Sequence, residues 1–541
     1  MSTSPSAAPP LSDEQLERAT KDPEEVDPGS DRARSRRSFF FFGAMAAAAI
    51  LPGTAGAQIR SRVRRPAQRT EPTEPTEEFR TVRVDERPAA FNEWSTDIVS
   101  TSRLVRRVTM GVTSADVAKA TQMGWQGYLN WQLNHTRIND DACESVVAQR
   151  WPLVLQTADQ LSTADQGQVR TQLQESTIYR SAYSQRQLYQ RMVEFWTDHF
   201  NQDFDKVQFL YVGDLRDVIR KHALGKFPDM VRASAHSPSM MLYLDQNVSR
   251  NTAPNQNYAR ELLELHTLGV DNGYTQQDVA ELSRVLTGWT ITGRAGTFTF
   301  NPAIHDRAAK TVMGITIPAA PSTQGAAGIS EGESIIDMLV NHPNTARYIS
   351  FKMLSWLLDP APTQAQIDTV TSVYLATGGD IKAMIRVILN DTWLPSAPMK
   401  LKRPYHFMVS ALRSATPNIV SLSPTNGYLV NLGQQLFAWD TPDGYPDKVE
   451  YWAGNIVPRW NFGSQFSSLN STTTMAVDIA PYRAGTPAAA IDLIDQNFFG
   501  GEMPMVTRNA LLAYAGTTAL TDARARELLS LAISSNAFQW Y

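Results

Sequence analysis

Residues 254–289 read PNQNYARELLELHTLGVDNGYTQQDVAELSRVLTGW. This stretch contains two helices and the turn that joins them. Pro254-Asn255-Gln256-Asn257 supplies turn and capping chemistry, because short amide side chains accept from the free backbone N–H groups at a helix start. Tyr258 to Leu268 carries a helical apolar repeat, closed by Gly269. Asp271-Asn272-Gly273 predicts a turn. Thr275 then predicts an N-cap with Asp278 as its capping-box acid, and the second helix runs to about Thr287, before Gly288.

Outward from this hairpin the period stays helical. Ser102–Val108 opens the body, and Thr113 with Asp116 starts the next helix after a turn at Gly111. Gln185–Phe200 carries Leu188, Met192, Phe195, Trp196 and Phe200 at helical spacing. Leu215–Leu224 is stopped by Gly225. Helical patterns continue at 334–341, 345–358, 363–377, 381–390, 405–414 and 489–536. Phe298–Phe300 and Thr311–Ile315 bracket a polar segment and predict a small β-hairpin. Residues 438–466, rich in aromatics, Pro and Gly, predict irregular chain. No fixed-period repeat is visible. The expectation is mainly α: one large multi-helical domain, residues 97–541, with a small β-hairpin insertion.

Composition narrows the function. Among 541 residues, Lys+Arg 50 against Asp+Glu 54 gives a net charge of −4, the wrong balance for a dedicated nucleic-acid binder. Hydrophobic residues at 42% allow a large core. With one cysteine, Cys143, there can be no intrachain disulfide, CxxC pair or thiolate zinc cluster.

The N-terminus carries an export signal. Ser35-Arg36-Arg37-Ser38-Phe39-Phe40 is a twin-arginine pattern that runs into an apolar stretch, Phe39–Leu51, and then Ala55-Gly56-Ala57, a small-x-small cleavage site. That apolar run is too short for a bilayer span, which needs about 20 residues. Residues 1–57 therefore predict a twin-arginine signal with a polar leader, and the destination is the periplasm or cell surface. Residues 58–96, with Glu71-Pro72-Thr73-Glu74-Pro75-Thr76-Glu77, predict a disordered linker, because such a tract buries too little apolar surface to offset its ordering entropy. No later stretch predicts a transmembrane helix.

Several ordered stretches carry a resemblance. They are Arg103–Gly111, Arg191–Phe200 (RMVEFWTDHF), Pro254–Trp289, His305-Asp306, His342–Ala346, Gly433-Gln434 and Pro442–Pro446 (PDGYP). Together they resemble the bacterial family catalogued as domain of unknown function 1800, over roughly 97–541. The resemblance implies an exported, helix-rich bacterial protein and assigns no reaction. Two departures weaken a catalytic reading where they occur. Gln256 stands where Glu is expected, and Arg307-Ala308-Ala309-Lys310 replaces a Gly-containing continuation after His-Asp.

The candidate chemistry is a carboxylate and histidine set: Glu261, Glu264, His199, His305 and Asp306. Glu261 and Glu264 are three apart and share a helix face, so they suit paired acid–base work or a divalent metal. Arg260 is four before Glu264, and an ordinary ion-paired face is the competing reading. His266 lies about 200° round the helix from Glu264 and cannot share its face. His199, at a helix C-terminus, is either a base or a dipole-favoured end residue. His305-Asp306 falls in a loop, where functional groups collect. Asn255, Asn257, Arg260, Trp439, Tyr445 and Trp452 are candidate ligand-binding residues. The aromatics of that set, with Tyr451, Trp460 and Phe462, suit stacking on sugar rings or sealing a helical core. Arg103, Arg106 and Arg107 form a basic cluster, read either as a solvated face or as a contact for an anionic polymer.

The Glu-x-x-His and His-Glu-x-x-His metal signatures are absent. The turn at 271–273 fails as a calcium loop, because Leu268, Val270 and Val279 would fall at ligand positions. There is no phosphate loop or G-x-G-x-x-G. Neither a metal nor a cofactor is assigned. Three functions remain open: an enzyme acting on an envelope or extracellular polymer, a non-catalytic exported scaffold or binding protein working with another exported protein, and a metal or cofactor carrier.

Overall fold

Side-chain caps start helices where the sequence places them. In the computed structural model, which describes residues 100–319 and 327–541, Thr113 accepts from Asp116 N at the head of α2 (Ser114–Leu133), which follows α1 (Ser100–Val108). The aromatic-rich pattern at 185–200 becomes α3 (Gln187–His199). Asn255 accepts from Asn257 N at 2.8 Å and starts α4 (Gln256–Glu261). Thr275 and Asp278 form a reciprocal capping box on α5 (Gln276–Val285). The proposed signal and linker, residues 1–57 and 58–96, lie outside the described residues.

The architecture is mainly helical, with small two-stranded sheets. Three details differ from the expectation. After α4 the chain widens into a π-helix, Leu262–Thr267, in which Leu268 N donates to Leu263 O at 2.9 Å. Apolar periodicity does not separate π from α over so short a run, and π segments recur at functional sites. Second, Thr297–Phe300 pairs with Trp289–Thr292, not with the strand near 311. Lys310–Val312 turns instead onto Ile315–Ile317 through Met313-Gly314, both at positive φ, the two-residue turn that matches strand twist. Third, the stretch 438–466 is irregular only to Lys448, after which Val449–Ala453 is helical. The other helices used below are α6 (Pro343–Leu357), α7 (Pro404–Ala415) and α8 (Ile456–Ser467).

A single apolar cluster links these elements, with Leu104, Trp196, Leu263, Trp289, Ile349, Phe407 and Leu528 all fully buried. Each such side chain contributes on the order of 1.5–3 kcal/mol. The basic cluster on α1 belongs to this interior. Arg107 donates to Leu358 O and Pro398 O, and Arg106 to Phe499 O and Glu502, so these two guanidiniums cap carbonyls of distant loops instead of meeting solvent or a polymer. Among the described residues, no helix is long and apolar enough to cross a membrane.

Candidate functional site

Burying the Leu188, Met192, Phe195 and Trp196 face of α3 places Asp198 and His199 at its inner end. Trp196 Nε1 donates to Ala223 O at 3.1 Å and fixes that end. The His199 ring is enclosed by Phe195, Trp196, Phe200, Phe227 and Tyr348. Its Nε2 lies 3.2 Å from the His266 carbonyl, delivered by the π-helix. A carbonyl only accepts, so the proton sits on Nε2 and Nδ1 is left as an acceptor. Lys352 Nζ on α6 lies 3.1 Å from that Nδ1. Burial first, then the Lys352 charge and His266, holds the His199 imidazole well below its ordinary pKa, so it is neutral.

Lys352 differs from Lys310 and Lys400, and among the described residues shares the lack of an acid partner with buried Lys402, whose Nζ instead lies 3.8 Å from the Phe538 ring centroid. Lys310 meets Glu331 at 2.6 Å and Lys400 meets Asp447 at 2.7 Å. Among the described residues, no carboxylate lies within ion-pair distance of Lys352. Burial pulls its ammonium down to about 8, and Asp198 and Asp443 offset part of that. The lysine is half-buried, with the Tyr348 ring 5.5 Å from Nζ.

The loop 437–447 closes over this end of α3. Asn201 Nδ2 donates to Trp439 O at 2.9 Å and Thr441 O at 2.7 Å, and the Tyr243 hydroxyl donates to Asp440 O at 2.8 Å. Arg403 donates to Tyr445 O at 3.1 Å. Gly444, at φ +76°, lies flat against Asp198, where a Cβ would fall 2.3 Å from its carbonyl oxygen. Asp443 accepts from Thr441 and from Trp439 Nε1. Trp439, Tyr445, Tyr451 and Trp452 form one ring cluster with centroids 4.6–6.2 Å apart, and Tyr451 is exposed. Phe462 packs instead in the core against Phe407, and Trp460 stands exposed on α8.

Beneath the loop, Arg403 bridges Glu194 at 2.6 Å and Asp198 at 2.7 Å, while Arg191 pairs with Glu194 at 2.9 Å. Both guanidiniums stack on Trp356. Burial pushes the Asp198 carboxyl up to about 6; Arg403 opposes this and Glu194 adds to it. This network holds the motif RMVEFWTDHF against the motif PDGYP.

The candidate residues separate into three places. Glu261 is buried and, with Asp443, raises the Tyr348 and Tyr243 phenols after burial has done so; of the two acids only Asp443 acts on Lys352. Glu264 turns away to Arg260 at 3.1 Å and the Tyr274 phenol, and Arg260 continues to Gln276. Asn255 and Asn257 serve the α4 cap. His305 and Asp306 belong to a third cluster. His305 Nδ1 meets Thr287 O at 2.7 Å and its Nε2 lies 3.3 Å from Glu331, while Asp306 binds Arg284 at 2.7 Å. Both line a depression of about 500 Å³ with Asn251, Thr252, Ala303 and Arg307. Among the described residues, none of the partners of His305 and Asp306 touches His199.

Asp140, Cys143 and Glu144 bring three metal-type ligands within 4.8 Å of one another. Their chemistry does not fit a metal. Asp140 accepts from Ser184 and Gln185, Glu144 pairs with Arg180, and burial pushes the Cys143 thiol up to about 12.

Lys352 and Asp443 were not among the residues singled out from sequence. The available signal was Lys352 as the only charge in the apolar run Tyr348–Leu358, and Asp443 inside PDGYP.

No curated protein and no solved structure matches the chain. The sequence model of one family matches residues 103–540, spanning α3, the hairpin 254–289, Lys352 and the loop 437–447, and the chain belongs to that family, described as Protein of unknown function (DUF1800).

Proposed function

We propose that the chain is an exported enzyme acting on an envelope or extracellular polymer, with His199 and Lys352 as its acid–base pair. The observation that supports this is the Lys352–His199 contact of 3.1 Å, next to the loop 437–447 that packs on Asp198, and without an ion-pairing carboxylate among the described residues. The structural lysines Lys310 and Lys400 are neutralised by acids. Lys352 faces a neutral imidazole, the arrangement in which an amine exchanges protons near neutral pH. Asp443 supplies negative field at Lys352, and Trp439, Tyr445 and Tyr451 offer rings for sugar stacking. His305, Asp306 and Glu264 have structural roles in this reading.

The test is release of soluble fragments from a panel of purified cell-wall and extracellular polysaccharides by the full chain. The expected result is release that rises towards pH 8 and falls at least 100-fold in Lys352→Met. Release by Lys352→Met at the unmodified rate, or none from any polymer, overturns the reading. For export, a reporter fused behind residues 1–60 is expected outside the cytoplasm, and retained there once Arg36 and Arg37 are both changed to Lys.

A second reading, a non-catalytic exported binding protein, is favoured by one observation. Ile456, Val457 and Trp460 are each more than half exposed on one end of α8. It expects co-purification with another exported protein that is lost in Trp460→Glu.

A further inference from the structure

The Lys352–His199 pair has a specific chemical capacity. His199 Nδ1 is an acceptor because Nε2–H is committed to the His266 carbonyl, and that acceptor points at Nζ from 3.1 Å. Lys352 therefore has a base of fixed tautomer beside it and, among the described residues, no carboxylate holding it as an ammonium. It is half-buried within reach of the Asp443 charge from the loop 437–447, whereas Lys310 and Lys400 are buried against acids.

We propose that Lys352 is a covalent nucleophile whose Nζ condenses with the carbonyl carbon of an aldehyde or ketone, with His199 relaying the protons. This rests on the acid–base reading above and names its substrate class: a carbonyl compound, such as the open-chain aldehyde at the reducing end of a sugar. The neutral amine's lone pair attacks the carbonyl carbon, a C–N bond forms, and the C=O π pair moves to oxygen. One amine proton passes through His199 Nδ1 to that oxygen, giving a carbinolamine. The second follows the same route to the departing hydroxyl. Water leaves and C=N remains. Amine plus carbonyl gives imine plus water, and nothing is oxidised or reduced.

The neighbourhood suits this step. The Tyr348 ring lies 5.5 Å from Lys352 Nζ and Phe195 flanks the imidazole, so water is partly excluded from the amine. Asp198 and Asp443 lie close enough to stabilise a protonated imine without pairing with the free lysine. With its ammonium lowered to about 8, Lys352 carries an amine fraction about two orders of magnitude above that of an ordinary exposed lysine at neutral pH.

The experiment is reductive trapping on the full chain. Glycolaldehyde and, separately, pyruvate are added at limiting concentration with cyanoborohydride at pH 7.5, and modified lysines are mapped by peptide mass spectrometry. Lys352 is expected to be labelled at least tenfold faster than exposed Lys221, and at least tenfold more slowly in His199→Gln. The map on the unmodified chain needs no variant, so it decides even if His199→Gln does not fold. Labelling of Lys352 no faster than Lys221 overturns the proposal. The two readings fail separately. Trapping at Lys352 without fragment release from any polymer removes the polymer reading and keeps the nucleophile. Fragment release that depends on Lys352, without trapping, keeps acid–base catalysis and removes the covalent step.

Discussion

Gly444→Ala tests whether the loop 437–447 is fitted to the end of α3 as the geometry states. The new Cβ would meet Asp198 O at 2.3 Å, its carbonyl carbon at 2.8 Å and its Cα at 2.9 Å. All three atoms are backbone, so no rotamer change relieves the contact. Ordinary contact begins near 3.4 Å, so the loop must lift by about 1 Å. Overpacking of this kind costs about 1–3 kcal/mol. The left-handed backbone adds about 1 kcal/mol for a residue with a Cβ. Lifting also strains the Asn201, Tyr243 and Arg403 hydrogen bonds to the loop, at about 1 kcal/mol for each one lost. The expected destabilisation is about 3–5 kcal/mol. For a body of roughly 440 residues the unfolding entropy is about 0.9 kcal/mol per kelvin, so Tm falls by about 3–5 °C. The control is Gly501→Ala, at φ +83° with nothing within 4 Å, which carries the backbone term alone and is expected to lose about 1 °C. Calorimetry measures both variants, and carbonyl trapping at Lys352 measures the site. If Gly444→Ala melts with Gly501→Ala and traps at the unmodified rate, the close fit of loop to helix is refuted.

Lys352→Met is expected to stabilise the protein at pH 7. The folded pKa lies below the unfolded one, so the unfolded chain binds the extra proton between about 8 and 10.5, and this site's contribution rises with pH there. The variant's advantage, at most about 3 kcal/mol at neutral pH, therefore shrinks through that window, which melting curves from pH 7 to 10 would show. His266 is buried with neither ring nitrogen bonded, and burial pulls its pKa down to about 3, so stability is lost as pH falls from about 6.5 towards 3. His266→Phe should flatten the denaturation midpoint over that range, and an unchanged slope would count against a neutral buried imidazole. Lys310→Met leaves Glu331 with only His305 and is expected to cost about 3–5 kcal/mol. It should leave trapping at Lys352 unchanged, and a change there would mean the two clusters are coupled.

Local chemistry was legible wherever it acts within a few residues. The caps at Thr113, Asn255 and Thr275, the turn at 271–273 and the apolar face of α3 all follow from short-range spacing, and the mainly helical class follows with them. The sequence also places His266 and Glu264 on different faces. In the structure one turns to Phe200 and His199, the other to Arg260. The pairing of Thr297–Phe300 was not legible, because strands that short carry too little periodicity to choose a partner.

The sequence by itself determined the helical class, the helix starts and the motifs that carry the family resemblance, since these depend on neighbours within a turn or two of chain. Only the tertiary structure decided which motifs meet. It joined Lys352 to His199 across 153 positions, set PDGYP on Asp198, and sent His305 and Asp306 into an ion-paired cluster with partners of their own. The reason is physical. A buried charge is judged by what surrounds it in space, and the groups that, among the described residues, leave Lys352 without an ion-pairing acid and His199 with a single tautomer come from α3, α6, the π-helix and the loop 437–447, which no local pattern connects.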